Sequence, residues 1–151
     1  MAKTTFDIPQ RYDPKQAQDG VWFEVRDEYE QLWGTFKLAY LDLTDPAWKK
    51  EREKLKARYA KDFRLKKKDE DFLLLEAFLQ FSLLDWKDVK ANGKEVSYTE
   101  ARAREFFGTD EIYNFAFPTL AMYALDVRNY NDKAIEQGVE TVEDKDEELG
   151  N

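Results

Sequence analysis

Residues 72–84, FLLLEAFLQFSLL, constrain the fold more than any other stretch of this 151-residue chain. Wound as a helix, Leu73, Leu74, Ala77, Phe78, Phe81 and Leu84 make one broad face, while Phe72, Leu75, Leu79 and Leu83 cover much of the remainder. A helix apolar nearly all round is central in its fold or lies in an interface. Glu76, Gln80 and Ser82 interrupt the run, and it falls short of the ~20 apolar residues of a membrane span. Residues 112–127 raise the same problem. There Ile112, Phe115, Ala116, Met122 and Tyr123 form one stripe, and Tyr113, Phe117, Leu120 and Ala124 another. Two stripes carry more apolar surface than one neighbour can cover. Pro118 lacks an amide and crowds the preceding turn, so a kink is expected there.

The approaches to these helices are marked in the sequence. Asp69-Glu70-Asp71 put acids at the positive end of the first. Upstream, Asp45-Pro46 opens another helix, with Asp45 or Thr44 as cap and Pro in the first turn. It runs through AWKKEREKLKARYAKDF with a thin apolar stripe of Trp48, Leu55, Tyr59 and Phe63, and ends on Lys66-Lys67-Lys68. Earlier still, Val21, Phe23 and Val25 alternate with Trp22, Glu24 and Arg26, and LWGTFKLAYLD follows a short polar loop. Two such runs read as a hairpin, although the second could also begin a helix. Residues 1–19 are polar with little periodicity, an arm whose order depends on something packing against it.

Between the two apolar helices stands LLDWKDVKANGKEVSYTEARAREFF. Asn92-Gly93 suits the positive φ angles of a type I′ turn. That register pairs Ala91 with Lys94, Lys90 with Glu95 and Val89 with Val96, combining opposite charges with a β-branched pair. Ser97-Tyr98-Thr99-Glu100 matches a capping box, with Ser97 as the cap and Glu100 reaching back to it. The helix then stops at Gly108, a residue suited to a left-handed terminator. Trp86, just before the turn, can hold both flanking helices. Trp86, Asn92, Gly93, Ser97, Tyr98 and Glu100 are therefore expected to form a rigid joint that sets the angle between helices. The fold expected is α+β and mainly α-helical: an N-terminal β-hairpin, about four helices, and this β-turn joint between the second and third. Residues 20–131 would form the single domain, 1–19 the arm, and 132–151 an acidic, disordered tail.

The chain has no Cys and no His, which removes disulfides, thiolate nucleophiles, the usual zinc frameworks and the commonest general base. No metal or cofactor is expected, since no metal-ligand spacing or Gly-rich phosphate loop occurs. The net charge of −8 is unevenly placed: residues 49–68 hold 11 bases and 3 acids, and residues 132–151 hold 8 acids and 2 bases. Eleven bases could hold nucleic acid. Yet Trp48, Tyr59 and Phe63 fall on the packing stripe, and nearby acids repel phosphate, so a solvated face or a protein contact is expected instead. The tail could mimic DNA, but a mimic needs ordered negative surface. Asp69 with Asp71 opens a helix and Asp85 with Asp88 flanks a Trp, so neither pair marks an enzyme. With no secretory signal and no membrane span, a cytoplasmic protein is expected.

The joint resembles a segment of the tail assembly chaperones of long-tailed bacteriophages. There an apolar helix ends in a Trp, followed by an acidic-apolar stretch, a Gly-Lys turn and a helix start of the Tyr/Phe-Ser/Thr-x-Glu kind. Trp86, Gly93, Lys94, Tyr98, Thr99 and Glu100 carry the match, and Ala91 departs from it where the family commonly has an acid. The likeness covers roughly residues 20–130 and is strongest over about 80–107. It implies a non-enzymatic protein of the host cytoplasm that coats the long helical tape measure protein, helps recruit tail tube subunits and is absent from the finished virion. Proteins of that family often occur also in a C-terminally extended form made by programmed frameshifting, and nothing in this sequence shows such an extension. The client would lie against Phe72, Leu75, Leu79, Leu83, Tyr113, Phe117 and Leu120, with Lys56 and Lys67 contributing charge. Apolar surface on two sides of the helices also suggests a homo-oligomer. The alternative is a small phage-encoded inhibitor, an acidic anti-defence protein included, or a structural subunit that binds one folded partner.

Overall fold

The computed structural model describes residues 3–131. Its first element lies inside the expected arm, where Pro14–Asp19 form helix α1. The Asp13 carboxylate accepts from the Lys15 and Gln16 amides, and Pro14 supplies the preset first turn. The Asp13 amide donates to the Tyr130 carbonyl at 2.7 Å, and the Tyr40 amide to the Ala17 carbonyl at 2.9 Å. These bonds fasten α1 to the body, so the arm shortens to the residues before it.

Strands β1 (Val21–Arg26) and β2 (Leu32–Leu38) make the N-terminal hairpin, with Phe23 opposite Phe36 and Val25 opposite Gly34. Asp27 organises the loop, accepting from the Tyr29 and Gln31 amides and from the Trp33 indole. That indole bond is the chief reason its carboxyl is held below the usual range.

The sheet has a third strand that the sequence pattern hides. Helix α2 (Pro46–Arg58), capped by Asp45, turns at Tyr59 into α3 (Ala60–Arg64), and α4 (Glu70–Ala77) follows. One π-helical turn at Phe78–Ser82 ends α4, and β3 (Leu83–Lys87) then pairs antiparallel with β2. The helix expected over 72–84 therefore stops early. A register shift at Lys37/Leu38 makes Leu84 an extra residue, a β-bulge. Leu83 and Trp86 both face the core while Leu84, Asp85 and Lys87 are exposed, and that three-residue spacing imitates a helix. Backbone demand explains the switch. The Ala39 amide donates to the Ser82 carbonyl, and the Ser82 hydroxyl to the Ala39 carbonyl, both at 2.7 Å. A continuing helix would leave the buried edge of β2 without partners.

The miniature hairpin of β4 (Lys90–Ala91) and β5 (Lys94–Glu95) leads to α5 (Glu100–Phe107), α6 (Asp110–Leu125) and a 3₁₀ turn at Val127–Tyr130. The fold is α+β with an N-terminal hairpin, as expected, but with six α-helices among the described residues: α1 is added and the basic helix divides at Tyr59. Both stripes of α6 find neighbours within the chain. On the sheet side, Phe115 meets Trp33 at 4.4 Å and Tyr123 stacks on Phe23 at 4.2 Å. On the other, Phe117 meets Phe78 edge-on at 5.5 Å. Phe36, Phe78 and Phe107 are fully buried at the centre, each burial contributing ~1.5–3 kcal/mol. The acidic segment 132–151, expected to be a disordered tail, lies outside the described residues.

Candidate interaction site

Trp86 is the pivot of the corner between β3 and α5. It is 5% exposed, its indole N–H donates to the Val96 carbonyl at 2.8 Å, and its ring meets Tyr98 at 5.5 Å and Phe106 at 5.2 Å. It therefore binds a strand, the miniature hairpin and α5 together, where two flanking helices were expected. Asn92 and Gly93 have φ of 53° and 76°, the signature of the type I′ turn, with Lys90 opposite Glu95 and Ala91 opposite Lys94. The Tyr98 hydroxyl donates to the Leu83 carbonyl at 3.3 Å, and burial above all raises its pKa.

The helix start differs from the expected capping box. Thr99, not Ser97, is the cap, its hydroxyl accepting from the Arg102 amide at 3.1 Å. Ser97 offers its carbonyl to the Arg102 guanidinium at 3.3 Å. Glu100 occupies the first helical position and pairs forward with Arg104 at 3.5 Å instead of reaching back. Arg104 in turn bridges to Glu76 of α4 at 2.6 Å, tying α5 to α4. Burial works to raise the Glu76 carboxyl, but hydrogen bonds from Arg104 and Gln80 outweigh it and hold the group below the usual carboxylate range. Gly108 is right-handed, with φ −80°, because the chain passes directly through Thr109 into α6.

Between α4 and α6 lies an open groove of about 330 Å³, lined by Leu74, Tyr113, Phe117, Pro118, Met122 and Leu125, with Asp71 and Asn114 among its polar contributors. Met122 is 73% exposed, and an unbranched thioether adapts to irregular apolar partners. Pro118 cannot donate to the Asn114 carbonyl one turn back, which leaves an acceptor beside the groove. Tyr113 stacks on Phe117 at 5.2 Å, and burial first, then Asp71 and Asp69, raise its hydroxyl pKa. An apolar trough with a few polar marks is the form that takes the apolar face of a helix.

Of the residues expected to meet a partner, Tyr113 and Phe117 line this groove. Leu79, Leu83 and Leu120 are buried core, and Phe117 contributes only from the buried floor. Phe72 meets Tyr59 at 5.4 Å and Phe63 at 6.1 Å, beneath Lys68, and so fastens α3 to α4. Leu75 packs against the core, Lys56 is half-buried on α2, and Lys67 is exposed beyond α3. None of these three borders the groove. Sequence reasoning missed Leu74, Pro118, Met122 and Leu125 as a set. The signal was there: Asn114, Pro118 and Met122 are four residues apart on one helix line, but the line begins with an amide and a helix breaker.

A second groove, about 440 Å³, runs between the miniature hairpin and α5, with Val89, Val96, Phe106 and Ile112 inside and Lys90, Glu95, Arg102 and Glu105 among its lining. Among the described residues, no group of three or more acidic or His/Cys side chains could hold a metal ion, and no helix is long and apolar enough to cross a membrane. Of the paired carboxylates, Asp69 caps α4, Asp85 accepts from the Trp86 amide, Asp88 accepts from the Thr35 hydroxyl, and Asp71 lines the α4–α6 groove.

No curated protein and no solved structure matches the chain. A family model described as YdaY prophage protein matches residues 41–147, from the loop before α2 through the groove helices and into the acidic segment. With more than half of its length matched, the chain belongs to the YdaY prophage protein family.

Proposed function

We propose that this prophage protein is a non-enzymatic tail assembly chaperone that binds the tape measure protein through the α4–α6 groove. The observation that carries the proposal is that groove, an open and mainly apolar trough between α4 and α6 with Met122 standing out of it. Trp86, Gly93, Lys94, Tyr98 and Thr99 keep the pattern that resembles the tail chaperones, and membership of a prophage family agrees with the phage origin that pattern implies. A helical client lays its apolar face along Leu74, Phe117 and Met122, while the Tyr113 hydroxyl donates to polar groups at its edge. The basic surface of α2 and α3, with Lys56 and Lys67, adds attraction for an acidic client. Several copies coat one client in the host cytoplasm, recruit tail tube subunits and leave before the virion is complete.

Co-expression with the phage's tape measure protein, followed by affinity capture, tests this. The expected result is a soluble client carrying several copies of the chain, lost in Met122→Lys without a change in melting temperature. A client that precipitates while the chain comes through alone overturns the proposal. The mixed-charge lining of the second groove favours a different reading, a subunit or inhibitor that docks on one folded partner. Finding the chain in purified particles supports that reading over the chaperone.

A further inference from the structure

The basic segment 49–68 is the charged surface that the fold leaves unbalanced. Of its 11 bases, Arg52 pairs with Glu53 and Glu70, and Lys68 lies over the Tyr59 and Phe72 rings. The other 9, Lys50, Lys54 and Arg58 among them, have no carboxylate at ion-pair distance among the described residues. Elsewhere Arg26, Arg104 and Arg128 each have an acidic partner, while Arg11 and Arg102 have none among the described residues. Lys50, Lys54 and Arg58 stand at successive i,i+4 positions of α2, and all three are exposed. Like charges at that spacing repel, so this face gains from an acidic cover.

The chain carries such a cover. Residues 132–151 hold 8 acids against 2 bases, and 5 of the acids fall within 143–148 as EDKDEE. The segment starts after Asn131, next to Tyr130, whose ring packs on Tyr40 at 5.5 Å in the connection that leads into α2. The 13 residues of α2 span ~20 Å. The twelve residues after Asn131, up to Glu143, can extend ~40 Å. Reach is no obstacle, and the family match includes both segments up to residue 147.

We propose that residues 143–148 dock on the exposed face of α2 around Lys50, Lys54 and Arg58 as an intramolecular counter-charge. The contact shields the basic face from polyanions, and an acidic partner must displace it to bind there. It does not depend on the tail-assembly reading. Because the chain has no Cys, Gly150→Cys gives a single site for a nitroxide on the full-length protein. Paramagnetic broadening is expected to fall on the amides of α2 several-fold more strongly than on those of the Trp86 corner. Raising the salt from about 0.1 to about 1 M shortens the screening length from about 10 to about 3 Å and removes the effect. Joint substitution Lys50→Gln, Lys54→Gln and Arg58→Gln removes it at low salt. Broadening that is absent, or even over the surface, overturns the docking. Broadening that passes from labelled to unlabelled chains in a mixed sample overturns its intramolecular form.

Discussion

The corner around Trp86 and the basic helix α2 lie in one chain, yet they are held by opposite means. At the corner, Phe36, Tyr98 and Phe106 surround one indole, and its N–H is spent on the Val96 carbonyl, so both the apolar body and the polar tip are used. Along α2 only Trp48 and Leu55 of 13 residues are buried, Glu51, Arg52 and Lys56 are half-buried, and the rest are exposed. A corner built around one buried indole can thus be more firmly placed than a helix of more than three turns. What counts is how many long-range contacts converge on a residue, and regular structure adds little to that by itself.

The largest effect expected from this contrast is at Trp86. Trp86→Ala removes a buried aromatic and leaves a cavity between β3 and α5, costing ~3–5 kcal/mol in urea unfolding. A loss below about 1 kcal/mol, the size of an ordinary point mutation, would break the comparison at its firm end. Next comes Gly93, whose φ is +76° and whose absent Cβ would meet nothing within 4 Å. Gly93→Val therefore costs only backbone strain, ~1–2 kcal/mol, while Gly93→Asn recovers most of it because Asn tolerates the left-handed region. An unchanged melting temperature in the Val variant would mean that the turn carries no stability of its own.

A third effect depends on pH. Glu76 is held below the usual carboxylate range because the Arg104 and Gln80 hydrogen bonds outweigh the opposing effect of burial. A carboxyl lowered in the folded state contributes stability that is present above its unfolded pKa and is lost as pH falls through the folded value. Melting temperature should decline into acid more steeply for the parent than for Glu76→Gln, the parent being the more stable at neutral pH. Parallel acid limbs for the two proteins would remove this bridge from the account of how α4 and α5 are joined.

What was legible in the sequence was local. Asn92-Gly93 and its flanking pairs, Asp45-Pro46 and the acids at 69–71 each specify their geometry within a few residues, and the hairpin register and helix starts at those places follow. The third strand was not legible, since the bulge at Leu84 spaces Leu83 and Trp86 like a helix and the deciding partner, Ala39, is 43 residues from Ser82. The cap failed for a related reason. Ser97 and Glu100 fit the box locally, but Glu76 on another helix holds Arg104, and Arg104 draws Glu100 forward. Of the groove, the sequence displayed Tyr113 and Phe117 but not Met122, whose exposure depends on which sides of α6 the sheet and α4 take.

The smallest effect belongs to the face of α2. Lys50, Lys54 and Arg58 touch no described carboxylate and bury nothing, so replacing all three by Gln should move unfolding free energy by no more than about 0.5 kcal/mol. Trp48→Ala on the same helix should cost several times more, because the indole is buried against Phe81 at 5.9 Å. The pair of measurements separates the two faces of one helix. If the triple variant instead loses more than about 1 kcal/mol, the basic face is part of what holds α2 in place, and the contrast with the corner is one of kind of contact and no longer one of strength. If it gains stability that added salt also confers on the parent, the repulsion among the three cations is uncompensated, and the acidic segment is not lying on them.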